Sequence, residues 1–130
     1  MMTINQIKET CLYFDDLHKA KDFYHEKLGL PIIMEEDGQH IFFRAGTSVL
    51  LCFAAEASKQ KQAPPPHYAY GPQHIAFEVP SEEYEAWKEK IKALGIAIIQ
   101  EQTWKDGLQS FYFHDSEGHV LEVIPPRMWD

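Results

Sequence analysis

Arginine is almost missing: Arg44 and Arg127 are the only two in 130 residues, and the formal net charge is −8. This balance argues against a nucleic-acid partner, whose phosphates need clustered cations. It also limits how firmly a polyanionic small molecule would be held. Cysteine is as sparse. Cys11 and Cys52 both sit in apolar, strand-like runs, so neither a disulfide framework nor a zinc knuckle is indicated. No apolar run approaches the ~20 residues of a membrane helix. The opening MMTINQIKET lacks the core of a signal peptide. A cytoplasmic protein that meets no membrane is the expectation. What is present is ordinary, with 45% apolar and 25% charged residues. That is the balance of a globular chain, long enough for one domain with a real core.

The chain reads as two copies of one β-α-β-β-β unit. In the first, a strand at 7–14 leads to a helix capped by Asp15 or Asp16, with Leu17, Ala20, Phe23 and Tyr24 on its apolar face. Leu28-Gly29 ends it. Strands follow at 32–35, 40–44 and 48–54, the first two joined by the Asp37-Gly38 turn. In the second unit a strand at 74–79 precedes a helix with Ser81 as N-cap and Tyr84, Trp87, Ile91 and Leu94 as its stripe. Leu94-Gly95 ends that helix. Strands at 96–100, 110–114 and 119–124 complete the copy. The two Leu-Gly pairs lie 66 residues apart, and Phe43-Arg44 and Phe113-His114 lie 70 apart. The units span about 5–55 and 73–126. Between them, 56–72 reads as a proline-rich loop without regular structure.

Side chains alternate faces along a strand, which fixes where the polar residues point. Glu122 shares a face with Val120 and Ile124, and an ionised carboxylate on an apolar face is costly unless something pairs with it. In the strand at 74–79, Ile75, Phe77 and Val79 suit the helix side, leaving His74, Ala76 and Glu78 opposite. In the first strand, Leu12 and Phe14 suit the helix side, leaving Glu9, Cys11 and Tyr13 opposite. Glu9 and His74 thus begin equivalent strands. The counterpart of Glu122 is Cys52, or Leu51 if the turn is one residue shorter. Two carboxylates and an imidazole suit a divalent metal: Mn²⁺, Fe²⁺, Co²⁺, Ni²⁺ or Zn²⁺. Three protein ligands leave room for water or substrate, as in catalytic sites.

The stretches LYFDDLHKAKDFYHEKLGLPI, GPQHIAFEVP and FYFHDSEGHVLEVIPP together resemble the vicinal oxygen chelate superfamily: glyoxalase I, fosfomycin-resistance thiol transferases, extradiol dioxygenases, methylmalonyl-CoA epimerase and bleomycin-resistance proteins. The resemblance implies an α+β fold of two βαβββ modules forming a curved mixed sheet with a cleft. It implies metal ligands at Glu9, His74 and Glu122, where relatives most often carry histidine at the first position. It also implies a homodimer.

The function this implies is a metal-dependent glyoxalase-like lyase or isomerase that chelates adjacent oxygens of a small-molecule substrate. Glu9 or Glu122 would serve as the proton shuttle. An extradiol-type dioxygenase is a second reading, weakened by glutamate at position 9. A metal-free, drug-binding protein of the bleomycin-resistance kind is a third. His67, Tyr68, Tyr70, His114, Tyr13 and Arg44 are candidates for contacts around the metal or substrate, with Trp104 and Trp129 as possible walls. A small, uncharged or monoanionic substrate fits the thin supply of cations.

Overall fold

The computed structural model describes residues 1–130, which divide into two compact units, Met1–Tyr70 and Gly71–Asp130. Each is an α+β unit built on a four-stranded mixed sheet.

In the first unit the strands are β1 (Glu9–Phe14), β2 (Ile32–Glu36), β3 (His40–Ala45) and β4 (Ser48–Ala54), in the order β1-β4-β3-β2. β1 runs parallel to β4 and the other pairs are antiparallel. Helix α1 (Leu17–Ala20) begins at Asp16, whose carboxylate accepts the His18 N–H. That bond satisfies one of the donors a helix start leaves open. The helix continues into a wider π-helical stretch, Lys21–Lys27, where the Leu28 N–H reaches back to the Phe23 carbonyl. Ala20, Phe23 and Tyr24 are buried with Leu12, Phe14, Ile41, Phe43 and Leu50. Burying each large side chain stabilises by roughly 1.5–3 kcal/mol, so this face holds the unit together.

The second unit repeats the plan with β5 (His74–Glu78), β6 (Gln100–Thr103), β7 (Gln109–His114) and β8 (Val120–Ile124), ordered β5-β8-β7-β6. β5 is parallel to β8. Helix α3 (Tyr84–Ala93) buries Tyr84 and Ile91 beside Phe111, Phe113, Leu121 and Val123. Glu101 on β6 ties it down, 2.7 Å from both Lys88 Nζ and the Tyr84 hydroxyl. Those partners hold the Glu101 carboxyl below its usual range. Gly29 and Gly95, at φ +80 and +81, end the helical segments in the two units. That left-handed conformation favours glycine.

Several boundaries differ from the sequence reading. The first strand begins at Glu9, since residues 1–8 are exposed and without regular structure. The stretch read as structureless contains a helix, α2 (Ala55–Gln60), with Ala55 and Ser58 buried. Its sequence AEASKQ is made of helix formers, and the prolines that suggest a loop begin only at Pro64. Ser81 is not the cap of α3. It starts a 3₁₀ turn, Ser81–Glu83, and no side chain caps either segment. The strand expected at 96–100 lies later, at Gln100–Thr103, because residues 96–99 are used to leave the helix and reach the β7 edge.

Candidate metal centre

Register places His74 and Glu122 side by side. β5 pairs with β8 so that His74 faces Val120 and Ala76 faces Glu122. His74 and Glu122 therefore share the sheet face turned away from the buried Leu121 and Val123. Their side chains meet, with His74 Nε2 at 3.3 Å from Glu122 Oε1. Glu122 is 9% exposed, while His74 reaches solvent.

The other ring nitrogen of His74 settles the tautomer. Nδ1 lies 2.8 Å from the Val120 carbonyl, which only accepts, so Nδ1 carries a proton and donates. In the neutral ring Nε2 then presents a lone pair to a carboxylate oxygen. Two acceptors at 3.3 Å repel unless a cation, a metal ion or a proton, stands between them. A histidine whose far nitrogen donates to a backbone carbonyl is the arrangement that metal-ligating imidazoles use. The donor set thus fits a divalent ion.

Tyr112 completes this face. It is opposite Glu122 in the β7–β8 register, hydrogen-bonds the Glu122 carboxylate, and stacks on His74 at 6.3 Å between ring centres. Burial, helped by that bond and partly opposed by Ser110, keeps its phenol above the ordinary range. Tyr112 stands outside the ligand set read from the sequence. The tight turn at 115–119 carried the missing signal, because pairing His114 with Val120 puts 112 against 122.

Glu9 is exposed at the start of β1 in the first unit. It pairs in register with Val49, which pairs in turn with Arg44. No group of three His, Cys, Asp or Glu side chains that could hold a metal is assembled in the chain. The structure therefore brings two of the three expected ligands together. The counterpart of Glu122 in the first unit is Leu51 and not Cys52. Cys11 faces Leu51 as Ala76 faces Glu122, and Cys52 is buried on the opposite face beside Leu12.

The remaining candidates fall in separate places. Tyr13 and His67 are joined, Tyr13 Oη to His67 Nδ1 at 2.6 Å. Burial first, and then Cys11, pushes the Tyr13 phenol up to about 12. Phe53 packs against both rings, in an aromatic group that includes His40 and Phe42. Tyr70 donates to Glu56 and lies edge-on to Tyr68, with Lys59 over both rings. His114 is exposed at the end of β7. Trp104 donates to Ser110 at 2.9 Å, and Trp129 is largely exposed. A pocket of about 180 Å³ beside the start of α1 is lined mainly by Asp15, Asp16, Glu35, Glu36, Asp37 and His40. Of the residues expected around the metal, it holds none.

No helix is long and apolar enough to cross a membrane. Residues 4–123 match the family model described as the Glyoxalase/Bleomycin resistance protein/Dioxygenase superfamily. The chain is 39% identical over 123 residues to the fosfomycin resistance protein FosX of Listeria innocua, an alignment covering 94% of this chain and 83% of that protein. It is 28% identical to the glutathione transferase FosA of Serratia marcescens, covering 92% of this chain and 80% of that protein. Among solved structures, lactoylglutathione lyase from Agrobacterium tumefaciens superposes with a TM-score of 0.94 at 32% identity, covering 98% of both chains. A match over both units, with the same repeated strand order, makes the chain a member of the glyoxalase/bleomycin resistance protein/dioxygenase superfamily.

Proposed function

We propose that this protein is a metal-dependent lyase or isomerase acting on a small molecule with adjacent oxygens. His74 and Glu122 would hold a divalent ion with Glu9 as the third ligand. The observation that carries this reading is the His74–Glu122 pair, an imidazole anchored through Nδ1 to the Val120 carbonyl with Nε2 facing a buried carboxylate at 3.3 Å. A divalent ion there would polarise substrate oxygens and stabilise negative charge developing on them. Around it the chain's own groups have distinct tasks. The Val120 carbonyl holds the His74 ring, and the Tyr112 hydroxyl orients the Glu122 carboxylate. Glu9, the exposed carboxylate, takes the substrate proton on a carboxylate oxygen and returns it. We extend the proposal to a homodimer, which sedimentation at twice the chain mass would support.

Titration with Mn²⁺, Ni²⁺, Zn²⁺ and anaerobic Fe²⁺, followed by assay of the hemithioacetal of methylglyoxal, tests the reading. Tight binding of one ion per chain with turnover supports it. No binding by any of the four removes it. The relatives named as a fosfomycin resistance protein and as a glutathione transferase favour a second reading, opening of the fosfomycin epoxide by a thiol or water. The same metal-loaded protein, mixed with fosfomycin and followed by phosphorus NMR, separates the two. Turnover of fosfomycin would also overturn the expectation of an uncharged or monoanionic substrate.

A further inference from the structure

The residue that fastens the two ligand strands together lies outside the ligand set. His119 is fully buried, with no exposed surface, although it sits in a turn. Its backbone closes that turn. The His119 N–H donates to Asp115 Oδ1 at 2.9 Å, and its carbonyl accepts the Asp115 N–H at 3.0 Å. Its ring crosses to the other ligand strand, where Nδ1 accepts the Gln73 N–H at 3.0 Å. Gln73 stands one residue ahead of β5, and a backbone N–H left unpaired in a part-buried place is destabilising.

The consequence reaches the metal ligands through adjacent atoms. Gln73 precedes His74, and His119 precedes Val120. The Val120 N–H donates to the Gln73 carbonyl at 2.8 Å, while the Val120 carbonyl accepts from the His74 ring at 2.8 Å. The pairs 73–74 and 119–120 are thus laced by three hydrogen bonds, of which the His119 ring supplies the outermost. We infer that His119 is a positioning residue for the metal centre. By clamping Gln73 it holds the Val120 carbonyl where it fixes the His74 ring, with Nε2 toward Glu122. The inference rests on the proposal that His74 and Glu122 hold a divalent ion.

Two substitutions separate clamping from filling space. His119→Leu fills much of the volume but cannot accept a hydrogen bond. His119→Asn offers a side-chain oxygen near the place of Nδ1. Co²⁺ affinity is measured by calorimetry on protein shown folded by near-UV circular dichroism. Long-range ¹H–¹⁵N NMR of the metal-free protein reads the His74 tautomer. We expect His119→Leu to weaken Co²⁺ binding by roughly 10–100-fold, the usual range for partners of metal ligands, and to blur the single Nδ1–H tautomer. His119→Asn should recover most of both. Gln73→Pro removes the donor while keeping the ring, and should match His119→Leu. It carries the test if the leucine variant does not fold. Wild-type affinity and tautomer in folded His119→Leu, or equal loss in His119→Asn, would overturn the inference. If wild-type protein binds no Co²⁺, the ligand proposal falls, and the His74 tautomer in the same variants still decides the role of His119.

Discussion

The same row of the same sheet carries opposite chemistry in the two units. In the first unit the row across the parallel pair and its antiparallel neighbour is Cys11, Leu51, Phe42. In the second it is Ala76, Glu122, Tyr112. Strand order, pairing sense and the glycine that ends the helical segment are shared. Apolar contact satisfies the first row, next to Phe53, Tyr13 and His40. The second holds a buried carboxylate against an imidazole and a phenol. The topology therefore provides the frame, and side chains at one row decide whether it carries a buried carboxylate.

Exchanging occupants is the strongest way to break this comparison. Leu51→Glu places a carboxylate at the equivalent point of the first unit, where Cys11 and Phe42 are its row neighbours. It should destabilise by about 3–5 kcal/mol, read as a lower urea midpoint, because an unpaired buried charge replaces packed methyl groups. The converse, Glu122→Leu, should abolish tight metal binding. Without metal it should leave stability unchanged or raise it by about 1 kcal/mol, because a costly buried carboxylate is removed while the half-exposed His74 ring can turn to water. Thermal melts with and without Co²⁺ would show this as a lost metal-dependent shift on an equal or higher baseline.

A smaller effect sharpens the comparison within the second unit. Tyr112→Phe makes the row Ala76, Glu122, Phe, one hydroxyl short of wild type. Loss of the bond to Glu122 should cost about 1–2 kcal/mol in metal-binding free energy, roughly ten-fold in dissociation constant by calorimetry. The smallest change is expected for Tyr13→Phe in the first unit, at or below about 1 kcal/mol in urea unfolding, since only one half-exposed hydrogen bond to His67 is lost. Its pH signature has a definite sign. The Tyr13 phenol is raised to about 12, above the ordinary 10, so its contribution is complete below pH ~10 and disappears as pH rises through about 12. Tyrosine absorbance in wild type and Tyr13→Phe should differ by one late-titrating phenol.

Much of this was legible because the alternation is strong. Thr10, Leu12 and Phe14 against Glu9, Cys11 and Tyr13 fixes the faces of β1, and the buried Leu12 and Phe14 lie on the predicted side. The same logic joined His74 to Glu122. What escaped the sequence depended on register or local propensity. Choosing Leu51 over Cys52 requires the turn length before β4, a difference of one residue that flips the face. Helix α2 was hidden by the prolines after it, and the shift of β6 by an ambiguous apolar run, Ile96–Ile99. The roles of Tyr112 and His119 needed atoms. A tyrosine opposite a glutamate, or a histidine in a turn, has no periodic signature.

The central claim is that the His74–Glu122 pair binds a metal ion. Its most direct measurement is the metal content of untagged protein purified without added metal, beside Glu122→Ala prepared in the same way. The account predicts about one equivalent of a divalent transition metal per chain in the wild type and almost none in the variant. Equal metal in both, or none in the wild type even after incubation with Mn²⁺, Ni²⁺, Zn²⁺ and anaerobic Fe²⁺, would contradict it.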